Sequence, residues 1–167
     1  MNLKFNGDQD LIRSIEEGSR LLLSEKKQDG TAAMTFSLEK APEDASSSIV
    51  KKGDTCTVRF QEPAQYFRLF NYALHHNNED FSLEEKPYFA RRGFMLDCSR
   101  NAVANPEKLR SLVRRLAKMG MNQLFLYMED TYEVPGYPYF GTYRGKYTRE
   151  ELRDLDKYCA LFGVELV

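Results

Sequence analysis

The sequence predicts an α/β fold in which a small α/β domain at residues 1–86 precedes the first β/α units of an incomplete TIM-type (β/α)8 barrel at residues 87–167. From residue 92 onward, apolar strand-like runs alternate with amphipathic helical runs, which is the pattern of parallel β/α units. Before residue 79 the runs do not alternate in this way. The second part holds two such units and a third strand, whereas a complete barrel takes about 250 residues. We therefore expect the sequence to stop inside the barrel.

Two helices and two strands are predicted in the small domain. Asp8 can cap a first helix whose apolar residues fall on one side at helical spacing. Strand-like runs follow at residues 33–38 and 55–60, and the polar stretch between them at residues 42–48 has the composition of an exposed loop. A second helix begins at Pro63, because proline suits the first helical position.

The barrel part begins after a charged segment at residues 79–86, which is typical of a linker between domains. Apolar strands are predicted at residues 94–98 and 124–128. A third strand is predicted at residues 164–167, with nothing after it to cover its faces. Strands of parallel sheets are normally buried on both faces. We therefore expect the isolated chain to be prone to aggregation or dependent on a partner.

The two helices between these strands carry clear start and stop signals. The first opens with Asn105 as its cap and Pro106 behind it, and it closes at Gly120. The second opens with a capping box at residues 148–151 and closes at Gly163. The same kinds of start and stop signals in two successive units support the β/α assignment.

Composition excludes several classes of protein. The 167 residues are 42% hydrophobic and 29% charged, as in folded soluble proteins, and the formal net charge of −1 gives no field that would attract nucleic acid or membrane. The sequence shows neither a signal peptide nor a membrane span, so we expect a cytoplasmic protein. The three cysteines lack the spacing of zinc sites or disulfides, so we expect reduced thiols, no metal and no cofactor.

Charged residues follow the first two barrel strands. In β/α barrels the working residues lie where strands end and loops begin, so these positions are candidates for a site. Arg100 follows the first strand, and Glu129 and Asp130 follow the second. A guanidinium with neighbouring carboxylates can orient the hydroxyls of a polar substrate. A salt bridge between adjacent loops is the competing interpretation and stays open from the residues alone.

The start of the barrel also carries a recognisable motif. It reads Arg92-Gly93-Phe94-Met95-Leu96-Asp97-Cys98-Ser99-Arg100. This motif resembles the Arg-Gly-x-x-x-Asp-x-Ser-Arg opening of the barrel in glycoside hydrolase family 20, the β-N-acetylhexosaminidases. Residues 121–124 are similar to the entry of the family's second strand, and an acidic pair follows that strand. The resemblance covers residues 92–167, and the small domain resembles the one that often precedes this barrel by pattern only.

The resemblance implies an activity and a role for each candidate residue. Arg100 matches the arginine that binds the ring hydroxyls of the terminal sugar, and Glu129 matches the acidic residue that supports the catalytic machinery. Members hydrolyse terminal β-linked N-acetylglucosamine or N-acetylgalactosamine, with the acetamido oxygen of the sugar acting as nucleophile. The catalytic Asp-Glu pair is implied to lie beyond Val167, and Asp130 is not part of it. The chain would thus carry sugar-binding residues and be inactive alone.

The sequence also departs from the family pattern. Glutamate stands at position 129 where aspartate is usual, and Asn101 stands where many members have histidine. Residues 129–132 look more like the branch found in bacteria without export signals. The loop at residues 132–147 is rich in tyrosine, and we expect most of these rings to pack within the loop and one or two to touch ligand.

Two other functions are compatible with the residues. One is a non-catalytic module that binds carbohydrate or protein through the Arg100 region or the N-terminal sheet. The other is a barrel hydrolase whose substrate lacks the acetamido group. Cys98 has no neighbouring histidine in the sequence to act as its base, so nucleophilic catalysis by this thiol is not expected. Arg92 is interpreted as structural.

Overall fold

The computed structural model describes residues 2–25, 33–43, 45–100 and 102–167. Its strands and helices occur in two groups, each with its own sheet. The elements are β1 (Asn2–Gly7), α1 (Gln9–Ser24), β2 (Ala33–Lys40), β3 (Ser47–Lys52), β4 (Thr55–Phe60), α2 (Pro63–His75), β5 (Phe81–Glu85), β6 (Gly93–Asp97), α3 (Pro106–Lys118), β7 (Gln123–Tyr127), α4 (Arg149–Ala160) and β8 (Glu165–Leu166). No helix in the described part of the chain is long and apolar enough to cross a membrane.

The first group forms a five-stranded mixed sheet in the order β1-β2-β4-β3-β5. β1, β2 and β4 are parallel, whereas β3 and β5 are antiparallel to their neighbours. Alternate residues of the central strands, such as Phe36 and Val58, are fully buried in the core that α1 and α2 also enter. Both predicted helices are confirmed, and Asp8 caps α1 by accepting hydrogen bonds from the amides of Asp10 and Leu11.

The predicted linker at residues 79–86 is wrong, because residues Phe81–Glu85 form the edge strand β5. Phe81, Leu83 and Glu85 are half-buried, and Ser82 and Glu84 between them are exposed. This alternation is typical of a strand that has one face on a core. The charged residues of the strand suit a sheet edge that must not pair with another strand. The elements of the small domain thus continue to Glu85. The domain boundary after residue 86 stays a prediction.

Two further strands of the small domain were not predicted. β1 is short and half polar, and β3 begins at Ser47, inside the stretch that the sequence indicated to be a loop. In β3 the side chains of Ser47, Ile49 and Lys51 are buried, so a serine and a lysine occupy positions where a strand pattern requires apolar residues. Asp44, in the same predicted loop, lies outside the described residues.

The second group has the predicted β/α arrangement. β6, β7 and β8 form a parallel three-stranded sheet in sequence order, and α3 and α4 connect them. The predicted caps are present, because Asn105 accepts a hydrogen bond from the amide of Lys108 and Thr148 forms a capping box with Glu151. Leu124 and Leu126 of β7 are buried with the helices. The carboxyl ends of β6 and β7 consequently lie side by side.

The two groups share one continuous apolar core. Phe67 of α2 lies with its ring centroid 5.2 Å from that of Phe162, just after α4. Gly18 of α1 lies against the same point, since a Cβ atom there would approach the ring of Phe67 to 2.6 Å and the carbonyl oxygen of Leu161 to 2.8 Å. Close approach of the helices therefore requires glycine at this position.

Arg92 joins the two groups through hydrogen bonds. Its guanidinium donates to the carbonyls of Phe89 at 2.7 Å and Gly120 at 2.8 Å, and its Nη2 lies 2.6 Å from Oε1 of Glu62. Glu62 is the N-cap residue of α2, and Asn122 donates to its other carboxylate oxygen at 3.4 Å. These contacts agree with the prediction that Arg92 has a structural role.

Replacing Arg92 with lysine is expected to destabilise the chain by about 1–2 kcal/mol, because one ammonium cannot reach the several acceptors that the guanidinium fork reaches. Urea unfolding followed by circular dichroism measures this difference. Arg91→Lys is the matched control, because the neighbouring Arg91 is exposed. Equal stability of the two variants would contradict the role of the fork.

Candidate functional site

The candidate site lies where β6 and β7 end. The two strands are parallel and pair Asp97 with Tyr127, so the residues that follow them emerge at one edge of the sheet. Four side chains define what we call the rim: Asp97, Arg100, Tyr127 and Glu129. In β/α barrels this edge is the one at which functional residues are placed.

Asp97 organises the first loop of the rim. One of its carboxylate oxygens, Oδ1, accepts hydrogen bonds from the amide of Ser99 at 2.9 Å, from the hydroxyl of Ser99 at 2.9 Å and from the amide of Arg100 at 3.2 Å. The other oxygen, Oδ2, lies 3.2 Å from Nε of Arg100. The carboxylate therefore closes a tight turn and fixes the direction of the arginine that follows it.

Arg100 lies across the rim and is open to solvent. Its side chain is 69% exposed, and its guanidinium carbon lies 5.4 Å from the ring centroid of Tyr127, a cation–π distance. The Tyr127 hydroxyl donates to Oε1 of Glu129 at 3.4 Å. Tyr127, Asp97 and Glu129 together raise the pKa of Arg100. The rim thus presents a permanent cation with free donors beside a carboxylate.

Asp130 is turned toward a different partner. Its Oδ1 lies 2.8 Å from Nη1 of Arg144, which comes from the far end of the same loop, and this carboxylate raises the pKa of Arg144. Gly141 has φ of 67°, and a Cβ atom there would come within 2.2 Å of the carbonyl oxygen of Asp130. The loop therefore folds tightly back on Asp130.

The structure thus separates the three candidate residues. Arg100 and Glu129 meet at Tyr127, whereas Asp130 pairs with Arg144. The competing prediction was a salt bridge between the two adjacent loops. Within the described residues, no ion pair joins Arg100 to Glu129 or Asp130. Sugar binding by Arg100, Glu129 and Asp130 stays a prediction.

Three residues of this region were missed as site residues. Asp97 stood inside the quoted motif, and its position three residues before Arg100 was an available signal. Tyr127 was detectable because it occupies the same position near the end of its strand as Asp97 does in the preceding strand. Arg144 gave no signal, because its pairing depends on how a long loop folds. Position 101 lies outside the described residues.

The tyrosine-rich loop is divided between packed and exposed rings. Tyr132 packs edge-on against Phe140 with the ring centroids 5.4 Å apart, and Tyr147 is buried. Tyr137, Tyr139 and Tyr143 are exposed by 68%, 86% and 101%. Internal packing is therefore the role of some of these rings, and three others are free to meet a ligand. Among the described residues, no three side chains of the metal-ligating types lie together.

The Asp97 carboxylate gives a prediction about pH. Hydrogen bonds from Ser99 and the charge of Arg100 lower the pKa of Asp97 from its ordinary value of 3.8. Because the folded pKa is the lower one, the turn is stabilised at pH values above 3.8 and loses this stabilisation as the pH falls through the folded pKa. Carboxyl NMR titration is expected to show Asp97 titrating below its value in urea. Titration at or above that value would contradict the turn geometry, and Asp97→Asn identifies the resonance.

The chain resembles known proteins in sequence and in structure. No protein-family model matches the chain. A β-hexosaminidase of Akkermansia muciniphila is 30% identical in a 103-residue alignment, with 51% of this chain and 21% of that protein covered. The exo-β-N-acetylglucosaminidase of Vibrio harveyi, from glycoside hydrolase family 20, superposes with a TM-score of 0.77 at 16% identity over 99% of this chain and 32% of that chain.

A second solved structure gives the same result. The family 20 β-N-acetylhexosaminidase of Streptomyces coelicolor A3(2) superposes with a TM-score of 0.76 at 18% identity, covering 100% of this chain and 41% of that one. The predicted fold class is therefore confirmed: a small α/β domain precedes the start of a β/α barrel. Among proteins of this architecture, the chain resembles the β-N-acetylhexosaminidases of glycoside hydrolase family 20, as the motif predicted. The chain spans between a fifth and two fifths of these relatives.

Proposed function

We propose that this chain is the front part of an exo-acting β-N-acetylhexosaminidase and supplies residues that hold the terminal sugar. The observation that carries the proposal is the exposed guanidinium of Arg100, fixed by Asp97 and flanked by Tyr127 and Glu129 at the carboxyl edge of the barrel sheet. A fixed guanidinium beside a carboxylate offers directed donors and acceptors to neighbouring sugar hydroxyls. The ring of Tyr127 adds an apolar surface for a pyranose.

The relatives support the sugar that we propose. The Vibrio harveyi enzyme was solved in complex with N-acetylglucosamine, and a mutant Streptomyces plicatus β-hexosaminidase was solved with N-acetylglucosamine as its product. We propose a terminal β-linked N-acetylhexosamine as substrate and, from the family resemblance, cleavage assisted by the acetamido oxygen of the substrate. The catalytic Asp-Glu pair, in which the aspartate orients the acetamido group and the glutamate is acid and base, is proposed to lie beyond Val167, so residues 1–167 alone are expected to be inactive.

The exposed apolar side chains of the barrel sheet support the need for further strands. Met95 is 64% exposed and Val167 53% exposed, whereas the adjacent Leu96 and Leu166 pack against the core. In a closed β/α barrel such inward positions are filled by side chains of the other strands. We therefore propose that additional β/α units cover this face in the working enzyme.

The experiment compares the complete gene product with residues 1–167 on 4-nitrophenyl N-acetyl-β-glucosaminide, on its galactosaminide counterpart and on 4-nitrophenyl β-glucoside. Hydrolysis of the N-acetylated substrates by the complete product alone, with inhibition by an N-acetylglucosamine-derived thiazoline, is expected. The thiazoline mimics the cyclised intermediate of assistance by the acetamido group. Hydrolysis of the glucoside without thiazoline inhibition would favour another barrel hydrolase. Sugar binding with no hydrolysis by the complete product would favour a non-catalytic module.

A further inference from the structure

We infer that Tyr147 is a positioning residue that clamps the two loops of the rim to each other and thereby sets the separation of Arg100 and Glu129. The inference rests on the proposed function for its consequence in sugar binding. The clamp itself rests on contacts of Tyr147 with both loops. Tyr147 lies far from these residues in the sequence, just before the cap of α4.

The backbone of Tyr147 is joined to the second loop. Its amide donates to the carbonyl of Thr131 at 2.9 Å, and its carbonyl accepts from the amide of Glu133 at 2.9 Å. These two hydrogen bonds form an isolated parallel bridge between Tyr147 and Tyr132. Thr131 is two residues after Glu129, so the bridge anchors the chain immediately behind the acidic residue of the rim.

The side chain of Tyr147 is joined to the first loop. Its hydroxyl donates to the carbonyl of Ala104 at 2.6 Å, and its oxygen lies 3.6 Å from Sγ of Cys98. Because the single phenolic proton is given to Ala104, the Cys98 thiol is the donor in the second contact. Cys98 and Ala104 lie on either side of Arg100 in the sequence. The hydroxyl therefore holds both ends of the segment that carries the arginine.

Burial makes this clamp rigid. The Tyr147 side chain is only 2% exposed and Cys98 only 1%, so their mutual contact is shielded from water, and the Ala104 acceptor is half-buried. Burial raises the pKa of Tyr147 above its ordinary value of 10.0. The phenol thus keeps its proton, and its donor role, throughout the pH range in which glycosidases work. A group that holds both loops by buried contacts fixes their relative position better than the exposed pairs at the rim do.

Tyr147→Phe in the complete gene product tests the clamp, because it keeps the ring and removes only the hydroxyl. Tyr139→Phe is the matched control, with the same atom removed from the same loop at an 86% exposed position. Hydrogen exchange is expected to speed up in the amides of residues 98–100 and 102–104 in the Tyr147 variant but not in the control. Unchanged exchange in these amides would overturn the clamp, whether or not the protein is a hydrolase.

Kinetics test whether the clamp serves sugar binding. For the N-acetylated aryl substrate we expect KM to rise about threefold to tenfold in Tyr147→Phe, with a smaller change in kcat, as for a lost buried hydrogen bond. In an Arg100→Ala background the same change should have little further effect, because Tyr147 acts through Arg100. Additive effects, or faster exchange with an unchanged KM, would overturn the positioning role. A wild-type product without activity would refute the proposed function and leave the exchange result to decide the clamp.

Discussion

Replacing Arg100 with alanine in the complete gene product is expected to lower kcat/KM for the N-acetylated aryl substrate by at least about 100-fold, because hydrogen bonds between a charged donor and sugar hydroxyls are each worth about 1.5–3 kcal/mol. Arg100 is 69% exposed, and the contacts of its side chain within the described residues are with Asp97 and Tyr127, so its removal should leave the fold intact. Steady-state kinetics and circular dichroism measure the two quantities separately.

Two further variants sharpen the Arg100 experiment. Arg153→Ala removes an exposed arginine from α4 and should leave kcat/KM unchanged. Arg100→Lys keeps the charge without the planar fork and should recover only part of the lost activity. If Arg100→Ala retains activity within about threefold of wild type, a difference of less than 1 kcal/mol, the rim is not the sugar-binding side.

Replacing Phe67 with alanine is expected to destabilise the chain by about 3–5 kcal/mol, the usual cost of truncating a buried phenylalanine. Phe67 is fully buried, and its ring centroid lies 5.2 Å from those of both Tyr66 and Phe162. Tyr66 belongs to the small domain and Phe162 to the barrel part. Because Phe67 packs against both, the whole cooperative transition should shift, as followed by urea unfolding with circular dichroism and with tyrosine fluorescence.

The control for Phe67 is Phe89→Ala, which removes the same side chain from a position that is 66% exposed. This variant should change the free energy of unfolding by less than about 0.5 kcal/mol. Two separate transitions in the Phe67 variant, with only one of them shifted, would show that the two groups of elements unfold independently. The shared core described above would then not couple them.

Much of the fold could be predicted from the sequence, because the signals are local. Helix caps such as Asp8, Asn105 and Thr148 act on amides two or three residues away, so their partners are visible in the sequence. The alternation of apolar strands and amphipathic helices after residue 92 likewise reflects repeated local patterns. β5 was mistaken for a linker because an edge strand needs only half its residues to be apolar, and its charges resemble those of a loop.

The candidate site was predictable only in part. The motif placed Arg100 at the end of β6, and the acidic pair placed Glu129 at the end of β7. The sequence treated Glu129 and Asp130 as one pair, whereas the structure directs the first toward Tyr127 and the second toward Arg144. Adjacent residues outside regular structure point in directions that depend on the backbone of the loop, and no periodicity encodes this.

The sequence by itself determined the four helices, the β/α character of the second part, the family resemblance and the edge of the sheet at which Arg100 lies. Only the tertiary structure decided that Tyr147 joins Cys98 and Ala104 to the second loop. Cys98 and Tyr147 are 49 residues apart, and Ala104 and Tyr147 are 43 apart. Contacts at such separations arise when the strands pair and the helices pack. That packing offsets the entropy cost of closing the intervening loops, which no local propensity can offset.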